Sequence, residues 1–337
     1  MKERMASKPK IHVVGMGGTI AGVGATATTA AYESGQVDTS DLMAMVEGLD
    51  QFADVKSETL FTSGSENLGP KHWQKLACRI EELVESPEVD GVVVTHGTDT
   101  LEEAAFFLDL VCKPKKPVVL TAAMRPSTAL SADGPANMLQ ATLTVTSPEL
   151  RSPGILVTMN GLVIQGWQAI KTHSLSLESF CAYPGGPAGR ISGENLIFFG
   201  APGPSPIAGR FHGHLLKDKE LPPVEIILLR GGCGVRPLAS LNINELKGLV
   251  ISGFGAGTVP EDLAASLPVK MNPKCLVVVS SRVPQVMVIP ETMTPIKGGN
   301  AVPSGMLNPQ KSAILLSLAL DEGLTVQEIA RLFKMFS

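Results

Sequence analysis

Short, largely apolar runs recur along the chain at residues 11–16, 92–95, 118–121 and 155–159. Runs this short and this apolar read as buried strands. Between them the period changes. Trp73, Leu76, Ala77, Ile80, Leu83 and Val84 fall on one face at i, i+3, i+4 spacing and predict an amphipathic helix. Thr100 and Glu103 have the spacing of a capping box and predict that a further helix opens at this point. Alternating strands and helices of this kind predict an α/β fold.

From residue 199 to 223 the pattern breaks. Ala201-Pro202-Gly203-Pro204-Ser205-Pro206 suits neither a helix nor a central strand, and Lys217-Asp218-Lys219-Glu220 follows it. The expected organisation is therefore an N-terminal domain over residues 1–200, a linker over 201–222 and a smaller C-terminal domain over 223–337. In the last of these, aliphatic runs at 224–229, 249–252 and 276–280 alternate with helices and predict a second parallel sheet. Asn308-Pro309 marks one helix start, and Thr325 with Glu328 marks another.

Composition narrows the function. The chain has 337 residues, 44% of them hydrophobic and only 4% aromatic, which suits an aliphatic core. A net charge of −4 with no Lys or Arg block argues against nucleic acid or an anionic membrane as partner. No apolar run reaches the ~18 residues of a membrane span. The first ten residues carry no apolar segment of the kind found in signal peptides, so a cytoplasmic location is expected. Cys78, Cys112, Cys181, Cys233 and Cys275 are scattered, without zinc spacing. They read as reduced thiols, with Cys233 between glycines as the one candidate for a reactive thiol. No cofactor or metal is expected.

The candidate chemistry lies where two strands end. Gly15-Met16-Gly17-Gly18-Thr19-Ile20-Ala21-Gly22 follows the first run, and Thr95-His96-Gly97-Thr98-Asp99-Thr100-Leu101-Glu102-Glu103 follows the second. Ile20 spoils a dinucleotide fingerprint on the first turn, and no P-loop occurs. There is neither a G-x-S-x-G serine elbow nor an H-E-x-x-H helix, and His212 and His214 read as hydrogen-bonded rather than metal-binding. His96 reads as an orienting residue. A threonine hydroxyl needs a partner to take its proton. Asp99 adjoins Thr98, a lysine can approach it in space, and Tyr32 follows Thr19 in a loop-like stretch.

These two segments resemble the signatures of the bacterial-type L-asparaginase and glutaminase-asparaginase family. The likeness extends through Ala123-Met124-Arg125-Pro126-Ser127, Ser131-Ala132-Asp133-Gly134-Pro135, Met159-Asn160, Lys171-Thr172, Ser281-Arg282-Val283-Pro284 and Leu307-Asn308-Pro309-Gln310-Lys311. It implies an α/β two-domain asparaginase-like fold that releases ammonia from asparagine, assembled as a homotetramer of intimate dimers. Thr19 would be the nucleophile with Tyr32 polarising it, while Thr98, Asp99 and Lys171 would form an activating group. Ser65, Glu66 and Asp99 would hold the substrate's α-carboxylate and α-amino groups. The backbone N–H groups of Gly18 and Thr98 would form the oxyanion hole. Glu66 stands where strict asparaginases of the family commonly carry glutamine, which implies a glutaminase side activity.

The chain departs from the family pattern in its C-terminal part. The glutamate that a neighbouring subunit contributes falls on Met293, with Glu291 as the nearest carboxylate, and the family's asparagine falls on Thr258. Two alternatives follow. One is a catalytically weakened binder or sensor of asparagine or aspartate. The other is the asparaginase-like subunit of a tRNA-dependent amidotransferase, which would need an additional N-terminal domain.

Overall fold

The structure, a computed structural model, describes residues 7–28, 31–150, 154–216, 219–239, 241–242, 245–270, 275–296 and 301–337. Lys217 and Asp218 of the expected linker and the first six residues lie outside the described residues. The chain forms two compact units, residues 1–216 and 217–337.

In the first unit the strands are β1 (Lys10–Gly17), β2 (Val23–Gly24), β3 (Tyr32–Glu33), β4 (Asp54–Ser63), β5 (Gly91–Thr95), β6 (Val118–Thr121), β7 (Ile155–Met159), β8 (Leu162–Gln165), β9 (Ala169–Lys171), β10 (Phe180–Ala182), β11 (Gly189–Ser192) and β12 (Asn195–Phe198). The helices are α1 (Thr39–Ala44), α2 (Pro70–Glu85), α3 (Leu101–Val111) and α4 (Gly134–Val145). The main sheet has eight strands in the order β12-β11-β8-β7-β6-β5-β1-β4. From β4 to β7 it is parallel, and β8, β11 and β12 extend it antiparallel.

β1 lies between β4 and β5, so the chain leaves it in one direction and later returns on its other side. That is a topological switch point, and ligands of open α/β sheets bind at the carboxyl ends of the strands beside it. Both threonine turns are there, one after β1 and one after β5.

The core explains the sheet's apolar strands. Ile11, Val13, Val93, Val119 and Leu156 pack with Leu42 of α1 and with Met138, Ala141 and Val145 of α4. Trp73 of α2 and Phe107 of α3 pack together with ring centroids 5.9 Å apart, and every apolar position predicted for α2 is buried. The turn from β7 to β8 is Asn160-Gly161, both with positive φ (48° and 76°), as a two-residue hairpin requires.

The Thr100 capping box does not form. Thr100 is the N-cap of α3, but its side chain makes no cap bond, because its hydroxyl donates to the Ser65 carbonyl at 2.8 Å. Residues 201–216 pack into the first unit: Phe211 and His214 are buried, and the N–H groups of Gly209 and Phe211 donate to the carbonyls of Asp109 and Leu110.

The second unit holds β13 (Val224–Leu228), β14 (Gly248–Gly253), β15 (Leu276–Ser281) and β16 (Ala301–Pro303) in one parallel sheet. β16 adds a strand to the three expected. α5 (Arg236–Ala239), α6 (Glu261–Lys270), α7 (Pro309–Asp321) and α8 (Val326–Lys334) complete it. Asn308 caps α7 by accepting from the Lys311 N–H at 3.0 Å, and Thr325 with Glu328 forms the expected box on α8. Among the described residues no helix is long and apolar enough to cross a membrane.

Candidate active site

The turn after β1 depends on two glycines. Gly17 and Gly18 have φ of 85° and 82°, a region that costs glycine nothing and other residues much. A Cβ on Gly18 would lie 2.3 Å from Gly97 Cα, so the two threonine turns touch through bare backbone. The Gly18 N–H donates to the Ser63 carbonyl at 2.9 Å. That bond ties the first turn to the end of β4.

Thr19 follows on a single 3₁₀ turn and is buried. Its hydroxyl lies 2.6 Å from the Tyr32 phenol. β2 and β3 bring the tyrosine there by pairing Gly24 with Tyr32. Tyr32 remains 38% exposed, so its far side meets solvent.

The second turn carries the charged group. Lys171 Nζ donates to Thr98 Oγ1 at 2.8 Å and to Asp99 Oδ1 at 2.6 Å. Thr98 is buried and Asp99 exposed, so a hydroxyl at the floor of the site is linked through an ammonium to a carboxylate at its mouth. Ser65 supports the turn from beneath, where its hydroxyl accepts from the Asp99 N–H at 3.2 Å. Glu102, in the first turn of α3, accepts from the Lys171 backbone N–H at 2.7 Å. His96 is fully buried beside the turn with Nδ1 2.8 Å from the Gly97 carbonyl. Burial lowers its pKa to about 4. At neutral pH the ring is uncharged and Nδ1 carries the hydrogen donated to Gly97. His96 therefore orients the turn, as expected from its position.

A third wall comes from residues 124–133. Both carboxylate oxygens of Asp133 are used, accepting from the Met124 and Arg125 N–H groups at 2.9 Å each. Arg125 reaches Ser131, and Ser127 donates to the Gly22 carbonyl at 2.7 Å, fastening this wall to the Thr19 turn.

Together these elements enclose a cleft of about 480 Å³ that Thr19, Tyr32, Thr98, Asp99, Arg125 and Lys171 line. The structure thus brings together the five residues expected to be catalytic. Ser65, Glu66 and Gly18 do not line this cleft: Ser65 lies behind the Asp99 turn, and Glu66 is exposed with Oε1 accepting from Asn67 Nδ2.

Glu291 and Met293 belong to the second unit. The N–H groups of Thr292 and Met293 both return to the Ile289 carbonyl. That tight turn leaves Glu291 exposed and packs Met293 on the unit's apolar core.

Sequence reasoning missed Glu102, Arg125 and the apolar rim of Leu130 and Leu175. No side-chain pattern singles out Glu102 from Glu103 in the first turn of α3. Among the described residues no group of His, Cys, Asp or Glu is arranged to hold a metal ion. Cys112, Cys233 and Cys275 are buried; burial raises the Cys275 thiol to about 11 and the Cys112 thiol well above its usual range. Nothing at Cys233 suggests a reactive thiol.

Two family models match the chain. "Asparaginase, N-terminal" covers residues 10–202, and "Glutaminase/Asparaginase C-terminal domain" covers 223–333. L-asparaginase 2 of Escherichia coli (strain K12) is 35% identical over 97% of this chain and 93% of its own length. The glutaminase-asparaginase of Pseudomonas fluorescens biotype A is 34% identical over 96% of this chain and 89% of its own. The crystal structure of a probable cytoplasmic L-asparaginase from Campylobacter jejuni superposes with a TM-score of 0.87 and 34% identity, covering 97% of this chain and all of that one.

Proposed function

Since the chain belongs to the asparaginase family along nearly its whole length, we propose that its cleft hydrolyses the side-chain amide of L-asparagine through a threonine nucleophile. The protein is an asparaginase. The observation that carries the threonine mechanism is that each hydroxyl has a proton-transfer partner within one cleft: Thr19 with Tyr32 at 2.6 Å, and Thr98 with Lys171 at 2.8 Å.

Each step follows from those contacts. Thr19 Oγ1 attacks the amide carbon while its proton passes to the Tyr32 oxygen, 2.6 Å away, and the phenol hands its own proton on to the amide nitrogen. The negative charge that develops on the carbonyl oxygen is met by the Thr98 N–H, a donor commonly worth ~3 kcal/mol in this role. Protonation of the amide nitrogen lets ammonia leave, and an aspartyl ester remains on Thr19. Water then attacks the ester carbon as its proton passes through the Thr98 hydroxyl to Lys171 in its amine form, and a proton returned to the Thr19 oxygen releases aspartate and restores the hydroxyl. The Asp99 carboxylate at the mouth suits the substrate's α-ammonium, with Ser65 behind it holding that turn. Gly18 serves by permitting the approach of the turns.

Glutamine is proposed as a second substrate. One methylene changes discrimination by only ~1–3 kcal/mol, and a relative carries both activities in its name. A homotetramer and a cytoplasmic location are proposed as well, the latter because five free cysteines suit a reducing compartment.

Ammonia release from asparagine and glutamine by the pure protein, set beside thermal stabilisation by aspartate, is the test. Turnover supports hydrolysis; stabilisation without turnover would favour the weakened binder.

A further inference from the structure

Lys171 is held at two points. Its ammonium reaches Thr98 and Asp99, and its main-chain N–H donates to Glu102 Oε2 at 2.7 Å. All three partners belong to one short stretch, the turn after β5 and the first turn of α3. The strand that carries the lysine, β9, pairs with β10 alone in a two-stranded ribbon outside the main sheet. No ladder therefore sets the distance from the Lys171 backbone to Thr98. A lysine side chain has a long flexible stem, and its head is placed only as well as its Cα is placed.

Glu102 meets that need. It is 5% exposed and stands at the positive end of α3, where a carboxylate is favoured. Its next neighbour, Glu103, is more exposed. We propose that Glu102 is a positioning residue of the hydrolytic site, anchoring the main chain of Lys171 so that the ammonium meets the Thr98 hydroxyl. The proposal rests on the reading of Thr98 and Lys171 as the activating pair.

A kinetic double-mutant cycle tests it, with folding followed by thermal melts. Glu102→Met keeps volume and helix propensity but removes the acceptor, and Glu102→Gln keeps an acceptor oxygen. Glu102→Met is expected to lower kcat for asparagine by about 10–100-fold with KM changed by less than about threefold, because displacement of a reacting group by ~1 Å costs that much. Glu102→Gln is expected to return kcat to within about fivefold of the starting enzyme. On a Lys171→Met background, Glu102→Met should produce no further loss.

Wild-type kcat in Glu102→Met, or the same fold loss with and without Lys171, would overturn the proposal. So would failure of both Glu102 variants to fold, which assigns the carboxylate to stability. If instead Lys171→Met keeps wild-type kcat, the activating pair itself is wrong and the proposal falls with it.

Discussion

At the residue scale the site is a set of short hydroxyl contacts, and the proposed mechanism places their value in the transition state. Thr19→Ala is expected to lower kcat by about three orders of magnitude or more while aspartate still binds, and Lys171→Met to do likewise. Ammonia release beside aspartate calorimetry measures both, and a Thr19→Ala enzyme with a tenth of normal kcat would remove the nucleophile. His96 gives a stability prediction instead. Its folded pKa of about 4 lies below the ordinary 6.5, so the unfolded chain takes up the proton first as pH falls. Stability from this group is complete above pH 6.5 and is lost between there and pH 4, amounting to about 2 kcal/mol between pH 7 and 5. Urea melts at the two pH values read this out, and His96→Gln should flatten the difference. Thr19, Tyr32, Thr98, Asp99 and Lys171 could be found because hydroxyl, carboxylate and amine stand in specific motifs. Glu102 could not, because its partner is a main-chain N–H 69 residues away, which no side-chain pattern records.

At the element scale, legibility followed burial. β5, β6 and β7 are buried throughout and β1 is buried at all but Lys10 and His12, so their sequences are largely apolar runs. β8, β11 and β12 are four-residue strands with mixed exposure, and even where burial alternates, as in β11 and β12, four positions are too few to mark a strand. The Asn160-Gly161 turn was the available signal for this antiparallel extension. The capping box at Thr100 failed because a carbonyl from a distant turn, Ser65, won the hydroxyl. Among the helices, α2 depends on one large side chain. Trp73→Ala is expected to destabilise the protein by ~3–5 kcal/mol, since it empties the contact with Phe107. Denaturant titration checks it, and a loss below ~1 kcal/mol would show that the site collapses to fill the space.

At the scale of the whole molecule the open matter is whether a second copy supplies a carboxylate near Tyr32. The turn at 289–293 exposes Glu291 and buries part of Met293, so Glu291 is the side chain available to a neighbour. Glu291→Gln is expected to lower kcat at least about tenfold without changing oligomer size, as for loss of a proton-relay member, and Met293→Ala is not expected to mimic it. Unaltered kcat and pH profile in Glu291→Gln would exclude this carboxylate. Glutamine turnover within about a thousandfold of asparagine, or ~4 kcal/mol, is expected from the same whole-site view, and slower turnover would mark a strict asparaginase. Thr19, Tyr32, Thr98, Asp99, Glu102 and Lys171 all lie within residues 1–216, the first compact unit. In the gene, the codons of these six residues thus lie in one block. A single recombination crossover beyond codon 216 would exchange the entire second unit while leaving every bond of that network on the parental segment. The same crossover would carry Glu291 and Met293 across together, so any relay carboxylate from the second unit would be exchanged as one piece with it.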